Sequence, residues 1–468
     1  MEKTYYLAID FGASSGRHML GHMENGKMVL EEIYRFDNGM VKKDGHRCWE
    51  LDRLFAEIKN GLKKCREIGK IPVSMGIDTW AVDYVLLDEN DRILGPTYGY
   101  RDDRTMDMDY KVYDIIPQSE LYARTGIQKQ IFNTIYQLMA VKEQEKENLD
   151  RAKTFIMLPD YFHFLLTGVK KSEYTNATST QLVSPVTKDW DRELIRSLGF
   201  PEDIFMPLSM PGSFVGRFTK EIEEEVGFNC DVVLPATHDT ASAVMSVPST
   251  KEDVLYISSG TWSLMGVELP EAKISSDTEA GNYTNEGGYD YRFRFLKNIM
   301  GLWMIQQVRH DLKDAYSFAK LCELAEEAKD FPTRVDVQDV LFLAPDSMIE
   351  AIKEYAAWSK QPVPQTVGEI ATVVYQSLAE CYADTILEIE TITGRHYEAI
   401  NIVGGGSKAG YLNKLTAEKS GRKVLAGPGE ATAIGNLTAQ MIHAGIFKDL
   451  KEARQNIFES FGVEVIEP

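Results

Sequence analysis

Two acidic residues stand where they could act on a phosphate and on a hydroxyl group. The first, Asp10, ends the apolar stretch LAID, and the turn FGASSGR follows it. Turns rich in Gly, Ala and Ser can direct backbone N–H groups and hydroxyls at an anion, yet no lysine accompanies this one. A carboxylate beside phosphates is repulsive unless a cation such as Mg²⁺ lies between them. The sequence therefore predicts that Asp10 holds Mg²⁺, through water, next to bound phosphates.

The second acidic residue, Asp239, lies in the segment LPATHDTASAV at the predicted start of a helix. Asp and Thr are favoured N-caps, so a purely structural role is one interpretation. His238 beside it has no second His or Cys at metal-ligand spacing, which argues against zinc. The functional interpretation is that Asp239 accepts the proton of a substrate hydroxyl during phosphoryl transfer.

Two further small-residue turns occur in the second half of the chain. Residues 258–261 read SSGT between apolar stretches, a faint echo of the first turn and its flanking strands. The turn alone is equally consistent with an ordinary hairpin, but one such turn in each half favours phosphate binding. The glycines of IVGGGSKAG, residues 402–410, match a dinucleotide fingerprint weakly. Their position late in the chain favours instead a close approach of the backbone at 404–406 to a phosphate or a ribose.

Two loops are dense in groups that hydrogen-bond a polyol. They are GIDTWAVDY, residues 76–84, and YGYRDDRT, residues 98–105. A solvated charged loop is the alternative for both, and the residues alone leave that choice open.

The composition limits the class of protein. The 468 residues are too many for one hydrophobic core, so we expect an N-terminal domain over 1–246 and a C-terminal domain over 247–468. A net charge of −20 argues against nucleic acid and anionic membrane surfaces as partners. The five cysteines are scattered, as in reduced intracellular proteins. Neither a signal-peptide pattern nor an apolar run of membrane-spanning length is found, so a cytoplasmic monomer or homodimer is expected.

Hydrophobic periodicity indicates the elements that must position the candidate residues. Asn-Gly at 25–26, between alternating apolar residues, predicts a β-hairpin. Apolar residues at helical spacing predict helices from Glu50 to about Gly69 and from Val367 to about Thr393. Three antiparallel strands, a helix and a further strand at the start of the chain indicate a mixed α/β fold.

Several segments together resemble the FGGY family of carbohydrate kinases. They occur in the family's order across nearly the whole chain: AIDFGASSGR, GIDTWAVDYVLLD, YRDDRT, LPDYFHFLLTG, ATHDTASAV, YISSGTWSLMG, FLKNIMGLWMIQ and IVGGGSKAGYLNKL. The resemblance implies an α/β fold of the actin-like (ribonuclease-H-like) ATPase type, with two domains and the active site in the interdomain cleft. It also implies ATP and Mg²⁺ as cofactors and a small-molecule ketose as the substrate, phosphorylated at its 1-hydroxyl.

The resemblance further implies which residues form the site, with Asp239 as the general base. The ATP phosphates would be held by the first turn: Ala13, Ser14, Ser15, Gly16 and Arg17. The remainder of the nucleotide site would be Thr261, Asn298, Gln306 and Gly404. The sugar would be contacted by Ala81, His238, Asp239 and Thr240.

At one position the chain departs from the family, because the usual segment DTWGVD reads DTWAVD, with Ala81 in place of Gly. If a sugar carbon approaches that backbone, one methyl group changes discrimination by ~1–3 kcal/mol. A kinase of the same family for another ketose, L-fuculose or a pentulose, is therefore the first alternative. A non-kinase ATPase of the actin-like fold is the alternative from another class. A nicotinamide-dependent oxidoreductase would rest on the glycines at 404–406 alone.

Overall fold

The computed structural model of the protein describes residues 3–251 and 254–468. Strands and helices are mixed along the chain, as the sequence pattern predicts. The strands are β1 Tyr5–Phe11, β2 Ser15–Glu24, β3 Lys27–Asp37, β4 Val41–Lys43, β5 His46–Cys48, β6 Pro72–Thr79, β7 Tyr84–Leu87, β8 Thr154–Met157, β9 Ser172–Glu173, β10 Val183–Ser184, β11 Asp189–Trp190, β12 Leu208–Ser209, β13 Phe214–Arg217, β14 Asp231–Val233, β15 Leu255–Ser259, β16 Ser263–Leu269, β17 Tyr283–Gly287, β18 Phe293–Ile299, β19 Ala399–Val403, β20 Lys423–Ala426 and β21 Glu464–Ile466. The α-helices are α1 Leu51–Glu67, α2 Met108–Tyr113, α3 Gln118–Thr125, α4 Thr134–Gln144, α5 Lys146–Arg151, α6 Leu158–Thr167, α7 Tyr174–Thr178, α8 Arg192–Ser197, α9 Lys220–Val226, α10 Asp239–Met245, α11 Ser276–Ala280, α12 Trp303–Asp311, α13 Phe318–Glu327, α14 Met348–Trp358, α15 Val367–Thr393, α16 Gly410–Ser420, α17 Ala431–His443 and α18 Leu450–Ser460.

The chain forms two units whose segments interleave along the sequence. The first unit comprises the chain up to Ser246, Glu268–Phe295 and Thr432–Ser460. The second comprises Val247–Val267, Leu296–Ala431 and the chain from Phe461 onward. The chain thus first leaves the first unit after Ser246, and two later segments return to it.

The first unit contains a sheet with the strand order β13-β14-β6-β1-β2-β3. Its central strand β1 is antiparallel to β2 and parallel to β6. Strands β2 and β3 are joined at Asn25 and Gly26, both with positive φ (51° and 79°), so the predicted hairpin is confirmed. Helix α1 buries Leu54, Ile58 and Leu62 in the same core as the sheet, and the predicted helix near 50–69 is confirmed.

The second unit repeats this arrangement. Strand β15 is antiparallel to β16 and parallel to β19, as β1 is to β2 and β6. On its other side, β19 pairs in parallel with β20, and β20 pairs antiparallel with β21. The faint internal echo in the sequence therefore corresponds to a structural repeat. The long helix predicted at 367–393 is confirmed as α15, which begins with a capping box of Thr366 and Glu369.

No helix within the described residues has both the length and the apolar character required to cross a membrane.

Candidate active site

Two carboxylates lie side by side near the carboxyl ends of β1 and β6, the two central strands of the first unit's sheet. The parallel pairing of β1 and β6 places Asp10 directly beside Asp78, and both side chains are buried. Asp78 Oδ2 accepts a hydrogen bond of 2.6 Å from Asn436 Nδ2 on α17. Among the described residues, Asp78 Oδ1 is buried and has no hydrogen-bond partner. The sequence did not identify Asp78 as a site residue, although it too ends an apolar strand.

The start of α10 lies next to the end of β6. Thr79, which follows Asp78, forms a parallel bridge with His238. His238 occupies the N-cap position of α10 without a side-chain capping bond, and Asp239 is the first helical residue. The interpretation of Asp239 and Thr240 as ordinary N-caps is therefore wrong. Asp239 Oδ1 instead accepts bonds from the backbone N of Thr240 (2.5 Å) and from its Oγ1 (3.1 Å).

The charge of Asp10 raises the pKa of two neighbouring carboxyl groups, Asp78 and Asp239. Burial raises the pKa of Asp78 well above its usual value, and the charges of Asp10 and Asp239 add to the effect, while the bond from Asn436 opposes it. Burial also raises the pKa of Asp239; His238 acts in the opposite direction and the charge of Asp10 adds to the increase. A raised pKa makes the ionised Asp239 a stronger base, as proton abstraction from a hydroxyl requires.

His238 is held by two charged side chains, Glu286 and Arg294, that the sequence did not predict. Its Nδ1 lies 3.2 Å from Glu286 Oε2, and Arg294 Nη2 donates to the same carboxylate oxygen over 2.8 Å. Burial alone would raise the pKa of Glu286, but Arg294 and His238 lower it to about 2. Glu286 therefore remains ionised and fixes Nδ1, while Nε2 lies 3.5 Å from Asp239 Oδ1.

The first small-residue turn is shorter than the sequence predicted. Only Gly12, Ala13 and Ser14 lie between the strands, because β1 ends at Phe11 and β2 begins at Ser15, where it pairs with β3. Gly16 and Arg17 follow on the strand. Arg17 is opposite Asp10 in the register, and its Nη2 donates to Asp10 Oδ2 over 2.6 Å. The missing lysine thus has a cationic counterpart in this arginine, which lies on β2 just after the turn.

The loop after β6 has a strained backbone at the position of the family departure. Val82 has φ of +67°, and Asp83 N donates to Ala81 O over 2.9 Å, which makes this a γ-turn of the rare, strained type. A β-branched residue seldom adopts positive φ, and such strain persists only where surrounding contacts maintain it. One such contact is the hydrogen bond that Thr134 Oγ1 donates to Val82 O over 2.7 Å.

A buried aspartate orders the aromatic residues near this loop. Asp83 Oδ2 accepts from Trp49 Nε1 (2.6 Å) and Trp80 Nε1 (2.8 Å), and the two indole rings lie 4.1 Å apart at 32°. The backbone N of Tyr100 donates to the same oxygen over 3.2 Å. Burial raises the pKa of Asp83 to about 6, although the indole donors oppose the shift. The two predicted polyol loops thus meet at Asp83, which the sequence did not identify.

In the second unit, the predicted nucleotide segments are neighbours. The parallel pairing of β15 and β19 places Ser258 beside Val403, so the SSGT turn and the glycines at 404–406 emerge together. Gly404 has φ of +84°, and a Cβ there would lie 2.9 Å from Ser259 O. Only glycine fits this approach, which leaves the backbone exposed to a ligand rather than covered by a side chain.

The remaining predicted nucleotide residues lie on elements joined to the same turn. Thr261 is in the turn between β15 and β16, and its carbonyl accepts from Trp303 N over 3.0 Å. Trp303 begins α12, which carries Gln306. Asn298 lies on β18, and its Oδ1 is buried without a hydrogen-bond partner among the described residues.

Solved structures define the class of fold. Xylulose kinase from Lactobacillus acidophilus superimposes with a TM-score of 0.78 at 17% identity, covering 99% of this chain and 94% of that one. Glycerol kinase from Plasmodium falciparum, solved with ADP, gives 0.78 at 13% identity, covering 99% and 94%. The fold is that of the actin-like sugar kinases, and the predicted α/β fold class is confirmed.

Sequence relatives and family models then identify the family. The chain is 51% identical to a protein named Rhamnulokinase from Halalkalibacterium halodurans, over 98% of each chain. It is 44% identical to a Rhamnulokinase from Bacillus subtilis, over 99% of this chain and 95% of that one. The models for the N-terminal and C-terminal domains of the FGGY family of carbohydrate kinases match residues 5–246 and 255–444. The chain belongs to the FGGY family of carbohydrate kinases, and is a phosphotransferase that uses ATP.

Proposed function

We propose that the protein transfers the γ-phosphoryl group of ATP to the 1-hydroxyl of L-rhamnulose, forming L-rhamnulose 1-phosphate. The observation that carries the chemistry is the Asp239 carboxylate, placed at the start of α10 with a raised pKa and a fixed histidine beside it. The choice of ketose is supported by the full-length relatives named Rhamnulokinase.

Asp239 acts as the general base in this proposal. Thr240 occupies Oδ1 through two hydrogen bonds, which leaves Oδ2 as the oxygen to take the proton of the sugar hydroxyl. Most of the Asp239 side chain is buried, which raises its pKa, but about one-third remains exposed, so a substrate can reach it. His238, fixed by Glu286, orients the sugar through Nε2, and Thr240 and Ala81 complete the contacts. Positioning and electrostatics then account for most of the catalysis.

The nucleotide is held by backbone and small side chains. In the first unit, Asp10 lies near the end of β1; Ala13 and Ser14 follow in the turn, and Ser15, Gly16 and Arg17 lie at the start of β2. In the second unit the contacts come from the four residues that the family resemblance assigns: Thr261, Asn298, Gln306 and Gly404. The guanidinium of Arg17 lies 2.6 Å from Asp10, and guanidinium groups bind phosphate oxygens through strong charge-assisted hydrogen bonds.

The residues at the end of β1 and β6 fit Mg²⁺. Asp78 has a buried oxygen without a hydrogen-bond partner among the described residues, next to the carboxylate of Asp10, and hard cations prefer such oxygens. Within the described residues, no group of three or more His, Cys, Asp or Glu side chains is arranged to hold a metal ion. Asp10, with Asp78, would hold the ion, which neutralises phosphate charge when bound.

Location and assembly are part of the proposal but rest on composition alone. The net charge of −20 and the scattered cysteines support a cytoplasmic enzyme that binds neither nucleic acid nor membranes. A monomer or a homodimer is proposed.

The test is ADP release from Mg-ATP with L-rhamnulose, L-fuculose, L-ribulose, D-xylulose, glycerol and no sugar, in parallel. We expect strong release with L-rhamnulose only, and slow release without sugar. A preference for another ketose would support the alternative that Ala81 raises, with the same mechanism and a different pocket. Equal release with and without sugar would contradict sugar phosphorylation and favour the non-kinase ATPase.

A further inference from the structure

A fully buried carboxylate lies behind the segment that carries the general base. Glu173, at the end of β9, is completely inaccessible to solvent. Its oxygens accept five hydrogen bonds. These are from Thr175 N (2.8 Å) to Oε1, and from Thr175 Oγ1 (2.6 Å), Asn176 N (3.0 Å), Thr237 N (3.1 Å) and Thr237 Oγ1 (2.8 Å) to Oε2.

Two of these bonds have no explanation within the local helix. The bonds from Thr175 and Asn176 cap the first turn of α7, which is a common task for a carboxylate. Thr237, however, is 64 positions further along the chain. It directly precedes His238 and Asp239. Glu173 therefore joins the start of α7 to the segment from which the base projects.

Every polar group of Thr237 is held. The N and the Oγ1 of Thr237 both donate to Glu173. The carbonyl oxygen of Thr237 accepts from Thr79 N over 3.0 Å and from Asn176 Nδ2 over 3.4 Å. Because Thr79 follows Asp78 in β6, Thr237 connects the strand that carries Asp78 to the helix that carries Asp239. A backbone fixed on all sides gives the residue two positions later little freedom to move.

Burying an ionised carboxylate at the position of Glu173 is energetically unfavourable. Burial raises the pKa of Glu173 to about 7, although the donors from Thr175 oppose the shift. Among the described residues, no cationic side chain forms an ion pair with Glu173. Both oxygens of Glu173 accept hydrogen bonds, and Oε2 accepts four of the five. A Gln side chain would replace one of these acceptors by an NH₂ group, which would point at donors.

We infer that Glu173 is a positioning residue for phosphoryl transfer: by binding both the N–H and the hydroxyl of Thr237, it fixes the backbone that aims Asp239 at the sugar hydroxyl. The inference rests on the proposed function, since it assigns Asp239 the role of base. It adds a role for two completely buried residues, Glu173 and Thr237.

The chain offers a matched pair of variants to test this. Thr175 and Thr237 are both completely buried, and each donates its hydroxyl to the same oxygen of Glu173. Thr175→Val and Thr237→Val therefore remove the same chemical group from the same acceptor. We expect Thr237→Val to lower kcat about tenfold or more with KM for ATP nearly unchanged, because even a small displacement of a reacting group strongly lowers the rate. Thr175→Val should leave kcat within about twofold of wild type.

The measurements separate positioning from stability. Both valine variants should show similar losses of thermal stability, and Thr237→Ser, which keeps the hydroxyl, should recover most of kcat. Equal kcat in the two valine variants would overturn the inference. If Thr237→Val does not fold, Thr237→Cys replaces it; its thiol is a weak donor, and unchanged kcat in that variant would also overturn the inference. Absence of ketose phosphorylation by the wild type would instead contradict the proposed function itself.

Discussion

At the scale of single residues, the reaction depends on the charge of Asp239. Asp239→Asn keeps the shape of the side chain but removes the acceptor for the substrate proton, so we expect kcat to fall at least ~100-fold. Nucleotide binding, measured by calorimetry, should persist. Asp52→Asn is the control, since Asp52 also lies in the first turn of a helix but is exposed. Near-normal turnover of Asp239→Asn would remove this residue from the mechanism.

The raised pKa of Asp239 makes a prediction about pH. A general base must be ionised, so kcat should fall as the pH drops through a pKa that lies above the usual aspartate value of 3.8. Asp10 contributes to this increase, and removing its charge lowers the pKa of Asp239. In Asp10→Asn without Mg²⁺, NMR titration of the Asp239 carboxyl should therefore give a lower pKa than in the wild type under the same conditions. A pKa that stays in place or rises would contradict the electrostatic coupling.

Single residues also show where sequence reasoning stopped. Asp10 and Asp239 could be identified because each carries a recognisable chemical context. Asp78 could not, because its role arises from the parallel register that places it beside Asp10 and from Asn436, 358 positions away. Asp83 was quoted within a polar loop, but its two indole partners come together only in the folded chain.

At the scale of elements, local patterns were sufficient for the strands and helices. The Asn-Gly hairpin and the helices α1 and α15 follow from spacing that acts over a few residues. The extent of the first turn was not predicted well, since Ser15 and Gly16 pair with β3, and that pairing is not visible in the turn's own composition. The association of α10 with α17 is likewise a matter of tertiary packing.

That association leads to a prediction about Gly435. A Cβ at this position of α17 would lie 1.7 Å from the backbone O of Ser242 in α10, so Ala must push the two helices apart. Although Ala favours helices, Gly435→Ala should destabilise the protein by about 1–3 kcal/mol or more. It should also lower kcat, because α10 carries Asp239 and α17 carries Asn436.

Chemical denaturation and steady-state rates test this prediction. Gly410→Ala is the control: Gly410 begins α16, and a Cβ there would meet no atom within 4 Å. Its stability and kcat should remain close to wild type. Unchanged stability of Gly435→Ala would show that the helices can separate without cost.

At the scale of the whole molecule, the interleaving of segments is the feature that the sequence reveals least. The composition and length predict two domains, but local patterns do not reveal that residues 268–295 and 432–460 belong with the first unit. That membership depends on contacts between distant parts of the chain. One buried ion pair illustrates it, because it gathers all three segments of the first unit.

Arg454 is the centre of this contact. Its Nη2 donates to Glu268 Oε2 (2.6 Å) and to Val244 O (2.7 Å), and its Nε donates to Met245 O (3.2 Å). Arg454→Met would leave the Glu268 carboxylate buried without its cation and the end of α10 without its donors. Breaking such a pair costs about 3–5 kcal/mol, and the loss should be confined to the first unit. Hydrogen exchange of peptides from each unit, together with denaturation midpoints, measures both quantities.

Two controls make the result specific. Glu268→Gln added to Arg454→Met removes the uncompensated charge and should restore part of the lost stability. Lys251→Met breaks an ion pair of similar length, with Glu398 at 2.8 Å, but both side chains are exposed, so unfolding should be almost unaffected. If Arg454→Met unfolds like wild type, the segments are held by packing alone, and if protection is lost equally in both units, the loss is not confined to the first unit as predicted. A loss limited to the first unit would mean that one guanidinium links the helix that carries the base to the two later segments of its unit.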